Sequence, residues 1–350
     1  MDLQRAQSIP SRFGIIATGI EMVDSGLINR TFLVSGANGQ RHILQWVNPM
    51  FAAAVNADID AITSHVAMHG LLTPRLLHST TGALCIPDGG GHWRMLTWVD
   101  GDTVHRATSD QIAYQAGSML GKFHAAVADF TQPFQNLRPG VHDTPRHLNH
   151  LRETLARRSK HPRFASVAPL GNEILRLAAT LPALPHLTER VVHGDPKISN
   201  ILFERGSGNA LCMVDLDTVS RMALPLELGD ALRSWCNLAG EESPSAEFSL
   251  GRFGAALSGY ASTAAHLLSA AEISAFIPAT RLIFVELAAR FCADALNEDY
   301  FAWDAKRFTS HSEHSEVRAA GQLDAAKTMI RLDAELQKRV TEILPMVEPQ

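Results

Sequence analysis

The chain has 350 residues, 46% hydrophobic and 19% charged, with a net charge of −5 and a pI near 6.3. This is a globular balance, long enough for a large core and two lobes; with no long basic run, it argues against a general nucleic-acid binder. Cys85, Cys212, Cys236 and Cys292 form no C-x-x-C pair and read as buried free thiols of a reducing compartment.

The opening MDLQRAQSIPSRF lacks the apolar run of a signal peptide. The first hundred residues carry turn signals and short alternating runs. TFLVSG, ANGQ and RHILQWV read as a hairpin turning at Asn38-Gly39. Residues 51–69 read as a helix, RLLHSTTGALCI as another hairpin, and HWRMLTWVDG as a strand ending in a turn. From about 108 the pattern is helical: SDQIAYQAGSMLGKFHAAVADF has apolar residues at helical spacing and Ser109 as its N-cap. Residues 144–160 and 170–181 continue it. VVHGDPKISNILFE, at 191–204, interrupts with strand-like sequence, and ALCMVDLD reads as a second strand. Beyond about 225 the chain is again mostly helical. Its most apolar part, near 273–296, is broken by Arg281, Glu286, Arg290 and Asp294, too charged for a membrane span. SHSEHSE, with His311 and His314, reads as a solvated loop. There is no internal repeat. The layout is α+β: a small β-rich N-terminal lobe over 1–100 and a larger, mostly helical C-terminal lobe over 101–350 that holds one β-hairpin. The expected compartment is the cytoplasm, with no membrane partner.

Between the apolar pairs and triplets of 191–204 lie His193, Asp195, Lys197 and Asn200, and fifteen residues later comes Met213-Val214-Asp215-Leu216-Asp217. Asp195 can act as a base, and Lys197 brings a positive point charge. Asn200 and Asp215 offer oxygens that suit a hard cation such as Mg²⁺, and Asp217 is a second metal contact or a brace for the loop. Phosphoryl transfer needs such a set: a positioned base, a charge on the moving group, and a carboxylate and an amide holding metal on ATP. H-x-D-x-x-x-x-N alone would arise by chance in about one in fifty chains of this composition. The flanking strands, Lys197 and the D-x-D make chance a poor account, and buried carboxylates without a cation would be costly. His193 is read as a backbone brace.

These residues resemble the aminoglycoside phosphotransferase and choline kinase-like superfamily, small-molecule kinases in which H-G-D-x-x-x-x-N is followed by I-D-x-D/E. GLINRTFLV at 26–34, HILQWVN at 42–48, HGDPKISNILF at 193–203 and MVDLDTV at 213–219 together resemble its N-acetylhexosamine 1-kinase branch. LGD at 228–230, RFCADALNEDYF at 290–301 and VRAAGQL at 317–323 are weaker echoes. The resemblance implies a bilobal, protein-kinase-like fold and Mg²⁺-dependent transfer of the ATP γ-phosphate to a hydroxyl, best taken as the anomeric hydroxyl of an N-acetylhexosamine. Asp195 would be the catalytic base, with Lys197 beside it; Asn200, Asp215 and Asp217 would form the metal set. Gly26, Asn29, Arg30 and Thr31 would lie in the loop over the phosphates, Gln45 on the third strand, and Met95, Thr97 and Val99 on the hinge strand that meets adenine. Arg290, Asp294 and Arg318 are candidates for the acceptor. Two departures stand out. No lysine precedes Lys122: where kinases carry a strand lysine this chain has Gln45, followed by Trp46 rather than arginine, and Arg30 or Arg41 could supply the charge. After the D-x-D comes Thr218-Val219-Ser220-Arg221-Met222 in place of a Pro-Gly turn. Two rival readings are a kinase of another acceptor (an amino alcohol, another sugar or an aminoglycoside) and a nucleotide-binding module without catalysis.

Overall fold

The computed structural model describes residues 3–23, 29–136 and 142–345. After the short helix α1 (Leu3–Gln7) the chain builds an antiparallel sheet from β1 (Ala17–Val23), β2 (Arg30–Gly36) and β3 (Arg41–Val47). The 38–39 turn joins β2 to β3, as the sequence predicts. Helix α2 (Val55–Met68) follows, somewhat shorter than 51–69. RLLHSTTGALCI does not close on itself. Its ends form β4 (Leu76–Leu77) and β5 (Ile86–Asp88), and both pair with β6 (Gly91–Thr97). β6 also pairs with β3, so the sheet runs β1-β2-β3-β6-β4.

Alternation sorts the two faces. Phe32, Leu44, Trp93 and Met95 form a small core with Val34 and Ile86. Across β2, β3 and β6 the register places Thr31 opposite Gln45 and Gln45 opposite Arg94. Directly opposed residues share a face, so these three stand in one row. This polar row on the sheet positions much of the site.

β7 (Asp102–Thr103) already pairs with a strand of the second half, β9 (Ile201–Phe203). Between them lie α3 (Asp110–Ala126), α4 (Thr144–Arg157), α5 (Phe164–Ala178) and β8 (Glu189–Val192). The Ser109 hydroxyl caps α3 by accepting from Ile112 N–H. Then come β10 (Ala210–Met213), β11 (Ser220–Ala223), α6 (Leu224–Cys236), α7 (Leu250–Ala264), α8 (Ala270–Asn297), α9 (His311–Arg331) and α10 (Asp333–Ile343). The expected single hairpin is β9–β10, but it is extended by β7, and β8 pairs with β11 in a further two-stranded ribbon. SHSEHSE is not a solvated loop: it opens α9, and His314 is 1% exposed. The Ser310 N-cap, which accepts from Glu313 N–H, is the helix-start signal in that stretch.

α3 and α7 pack face to face through small residues. A Cβ on Gly117 would lie 2.0 Å from Ala256 O, and one on Gly259 would lie 2.0 Å from Tyr114 O, so the two backbones approach as only glycine permits. α8 lies at the centre of the helical part, its aromatic and aliphatic residues buried on nearly every side. The cysteines are all free thiols, three of them buried. No described helix is long and apolar enough to cross a membrane.

Candidate active site

The polar residues of 193–200 converge because the backbone between β8 and β9 makes a tight excursion. Gly194 has φ 84°, and a Cβ there would meet Thr218 O at 2.1 Å. That position must therefore be glycine. His193 is fully buried. Its Nε2 donates to Val214 O (2.8 Å), while its N–H and that of Gly194 donate to Glu227 of α6. Burial pushes the His193 pKa down, so the ring is a neutral strut joining the loop to the D-x-D segment. Trp235 Nε1 donates to Pro196 O (2.9 Å) and fixes the far side of the loop.

Asp195 thus sits on a braced backbone. Lys197 Nζ lies 2.5 Å from Asp195 Oδ2, and Asn200 Nδ2 donates to Asp195 O (2.8 Å) and Oδ2 (3.2 Å). Lys197 opposes two effects: burial alone would lower its pKa, but the Asp195 and Asp215 carboxylates hold it above the ordinary lysine value. With the Asn200 amide nitrogen spent on Asp195, its Oδ1 is the atom that can meet a cation.

Asp215 lies in the left-handed region at φ 65°, an uncommon conformation outside glycine that marks a shaped turn. It is crowded by protein yet open to solvent. That crowding, with the neighbouring Asp217 and Asp195 carboxylates, pushes its pKa up to about 6. A carboxylate pushed up in this way is one that a divalent cation would relieve, and the Asn200 amide and Asp215 carboxylate are hard oxygen donors of the kind Mg²⁺ takes. Asp217 is engaged differently. It pairs through both oxygens with Arg94 of β6 and accepts from Asn29 Nδ2 (2.9 Å). Burial would raise its pKa, but the Arg94 guanidinium and the Asn29 amide more than offset that and hold it low.

Sequence reasoning missed Arg94. It is 2% exposed and donates through Nε to Gln45 Oε1 (2.8 Å), while Gln45 Nε2 donates to Thr31 (3.2 Å). One network therefore joins the polar row of the sheet to the D-x-D turn. The available signal was an arginine inside an apolar strand, HWRML. Gly26 lies outside the described residues. Asn29 also accepts from Asn48 N–H, and Arg30 is exposed at the start of β2. Arg41 lies elsewhere, 3.3 Å from Asp100 and over the Trp98 ring. The Met95 side chain belongs to the small core, and Thr97 is tied to Arg75 through its N–H and its hydroxyl. Trp98 and Val99 follow the last strand pair.

Beside Lys197 opens a cleft of about 170 Å³ lined by His105, Arg106, Arg233, Asn237, Glu241 and Gln322, among others. Arg233 is held by Asp230 (2.8 Å) and Glu241 (2.9 Å). Gln322 is 1% exposed and its Oε1 has no hydrogen-bond partner in the protein. Arg290, Asp294 and Arg318 are not among the residues lining this cleft. Asp294 accepts from His311 Nε2 (2.7 Å), Ser315 Oγ (2.8 Å) and Tyr300 N–H (2.9 Å). Arg318 donates to Ala302 O (3.0 Å) and approaches Glu241 (3.9 Å), one step behind the cleft. Arg290 lies over Tyr300 and Phe301, 4.0 Å from the buried Glu286, so the Glu286–Arg290 pair is not a surface one.

The loop with Asp195, the D-x-D turn and a sheet with a cation facing that turn have the arrangement expected of a kinase-like phosphotransferase. The chain matches the model of the phosphotransferase enzyme family, APH, over residues 19–266, well over half its length, and belongs to that family. It is an ATP-dependent phosphotransferase with an alcohol group as acceptor. Solved structures agree on the fold. A microcompartment-associated aminopropanol kinase superimposes with a TM-score of 0.64 at 16% identity, covering 97% of this chain and 100% of that one. An aminoglycoside phosphotransferase from Alicyclobacillus acidocaldarius gives 0.63 at 16%, covering 95% of each. An amicoumacin kinase in complex with AMP-PNP, Ca²⁺ and Ami gives 0.61 at 14%, covering 99% and 96%. The protein therefore has the bilobal, protein-kinase-like α+β fold.

Proposed function

We propose that this phosphotransferase uses Mg²⁺ and moves the γ-phosphate of ATP to the anomeric hydroxyl of an N-acetylhexosamine, with lobes spanning 1–100 and 101–350. The chemistry of the cleft beside Lys197 carries the choice of acceptor. Its lining offers Arg106, Ser234, Asn237 and Gln322 for hydrogen bonds. Among the described residues that line it, the one carboxylate, Glu241, is already paired with Arg233, and none is Phe, Tyr or Trp. A polycationic antibiotic or an amino alcohol would want free carboxylates or aromatic faces. A neutral sugar with several hydroxyls and an amide wants this mixed set of donors and acceptors. The motifs at 26–34, 42–48, 193–203 and 213–219 favour the N-acetylhexosamine and its anomeric position.

In this reading Asp195 orients the acceptor hydroxyl and takes its proton at a carboxylate oxygen. Lys197, between Asp195 and the cleft, steadies the moving phosphoryl group. Asn200 and Asp215 hold Mg²⁺, which would neutralise charge on the phosphates. Asp217 belongs to the same set, serving in the metal-free chain as the partner of Arg94. Asn29, Arg30 and Thr31 cover the phosphates with Gly26, and the backbone from Met95 through Thr97 to Val99 meets adenine. Arg318, behind the cleft, and Arg290 and Asp294 on α8 brace the helices of the acceptor side rather than touching the acceptor. We assign to Arg94 the charge that kinases place on a third-strand lysine. It stands level with Gln45 on the same face, one strand over, and keeps N–H groups beyond those given to Gln45 and Asp217.

The test is ADP release with Mg²⁺-ATP against N-acetylglucosamine, N-acetylgalactosamine, other hexoses, choline, homoserine and an aminoglycoside. Turnover on the N-acetylhexosamines is expected. Turnover confined to choline or the aminoglycoside would overturn the acceptor assignment while leaving the phosphoryl-transfer site in place.

A further inference from the structure

A second group of ligating side chains lies outside the 193–217 motif, at the end of α2. His65 is in the last turn of that helix and His69 is the residue just past it. Spacing of four puts both rings on one side, with centroids 4.7 Å apart. Asp129 comes from the other half of the chain, from the segment after α3. Its Oδ1 is 2.8 Å from His65 Nε2 and 3.6 Å from His69 Nε2. One ligand atom from each residue lies within 4.8 Å of the others.

The orientation of the rings is fixed by groups outside the trio. His69 Nδ1 lies 3.0 Å from the His65 carbonyl oxygen. A carbonyl can only accept, so Nδ1 carries the proton and the Nε2 lone pair is left on the side of Asp129. The same contact satisfies a carbonyl at the helix end. Metal-bound imidazoles are commonly held in this way, with the second nitrogen donating to a backbone carbonyl. His65 is held by an edge contact with Phe130, centroids 5.3 Å apart. A tetrahedral Zn²⁺ with ligands at roughly 2.0–2.2 Å needs donor atoms about 3.3–3.6 Å apart. The observed 3.6 Å meets that spacing, the 2.8 Å contact would open by about half an ångström, and all three atoms lie within 4.8 Å of one another.

We propose that His65, His69 and Asp129 form a site for a divalent transition metal, Zn²⁺ by its ligand chemistry, that clips α2 to the segment following α3. On binding, the Nε2 proton that His65 shares with Asp129 leaves to solvent, and water completes the fourth position. Mg²⁺ does not compete, because it takes oxygen ligands in octahedral geometry. α2 also packs on the 216–218 turn that carries Asp217. The clip therefore stiffens the contact between the N-terminal sheet region and the helical part without entering the phosphoryl-transfer site.

The experiment uses the untagged full chain, stripped with a chelator, titrated with ZnCl₂ alone by calorimetry and melted with Zn²⁺ or Mg²⁺. One saturable Zn²⁺ site is expected, with a rise in Tm from Zn²⁺ that is lost when His65 and His69 are both replaced by alanine. Any rise from Mg²⁺, which the Asn200 and Asp215 oxygens would take, is the same in that variant and in wild type. His69→Ala alters an exposed ring, so the fold is kept; it should weaken binding at least tenfold, and His65→Ala with His69→Ala should abolish it. Asp215→Asn should leave the Zn²⁺ response intact, which excludes the Asp215 cation site as its source. No saturable binding, or equal binding in the double variant, overturns the site. No nucleotide or acceptor is added, so the result is independent of the kinase reading.

Discussion

The loop between β8 and β9 and the helices α8 and α9 both carry residues that the sequence nominated, yet they hold them in opposite ways. In the loop, Asp195, Lys197 and Asn200 turn toward one another, and the bracing falls to the backbone, His193, Glu227 and Trp235. In the helices, Asp294 and Arg318 are themselves the braces, spent on the 299–302 turn and on α9. Chemistry needs polar groups with capacity left over, whereas stability needs them satisfied. A polar residue of the same type can serve either end, and its partners decide which.

That contrast breaks most sharply at Asp195. Asp195→Asn keeps the shape and the amide–carboxyl volume but removes the base. The expected loss in kcat is on the order of a thousandfold, with ADP affinity unchanged by calorimetry. A variant within a few-fold of wild type would remove Asp195 from the mechanism. The next effect is at Asp215. Its pKa is raised to about 6 in the metal-free fold, above that of an unfolded aspartate. Between about pH 4 and pH 6 the unfolded chain therefore holds fewer protons at this position, and the fold loses stability as pH rises. Asp215→Asn should melt higher than wild type at pH 7, by a margin that shrinks toward pH 4, while metal-supported turnover is lost. A margin that grows on acidification would reverse the sign of the assignment.

Arg94 separates charge from bracing. Arg94→Met leaves the buried Asp217 carboxylate unpaired and lowers Tm. Adding Asp217→Asn removes that charge and should restore much of the Tm. ADP affinity should stay about tenfold below wild type in the double variant, a loss near 1.4 kcal/mol, with adenosine affinity unchanged. Recovery of wild-type ADP affinity in the double variant would reduce Arg94 to a counter-charge for Asp217.

Why the sequence revealed one region and not the other follows from chain distance. Asp195, Lys197 and Asn200 are within six residues and flanked by strands, so local geometry nearly dictates their convergence. The sheet was equally legible at 31–47, where alternation and the Asn38-Gly39 turn act locally. It failed at RLLHSTTGALCI, because β4 and β5 pair not with each other but with β6, and strand partners are not written in a run's own pattern. Arg94 meets Asp217 across 123 residues, and no spacing rule anticipates that. His314 was misread because polar composition describes a helix start as well as a loop.

The smallest effect tests the acceptor side. Gln322 lies on the same helix as Arg318, one turn further on, and its Oε1 has no protein partner. Gln322→Leu keeps the approximate volume and removes the oxygen. If an acceptor hydroxyl donates to it, the loss is one ordinary hydrogen bond, about 0.5–1.5 kcal/mol, or roughly a three- to tenfold rise in acceptor KM. The KM for ATP and kcat should hold. Asp294→Asn should do the reverse, lowering Tm while sparing acceptor KM, because its oxygens are committed to Tyr300, His311 and Ser315. A KM effect at Asp294 with none at Gln322 would move the acceptor out of the cleft beside Lys197 and toward α8.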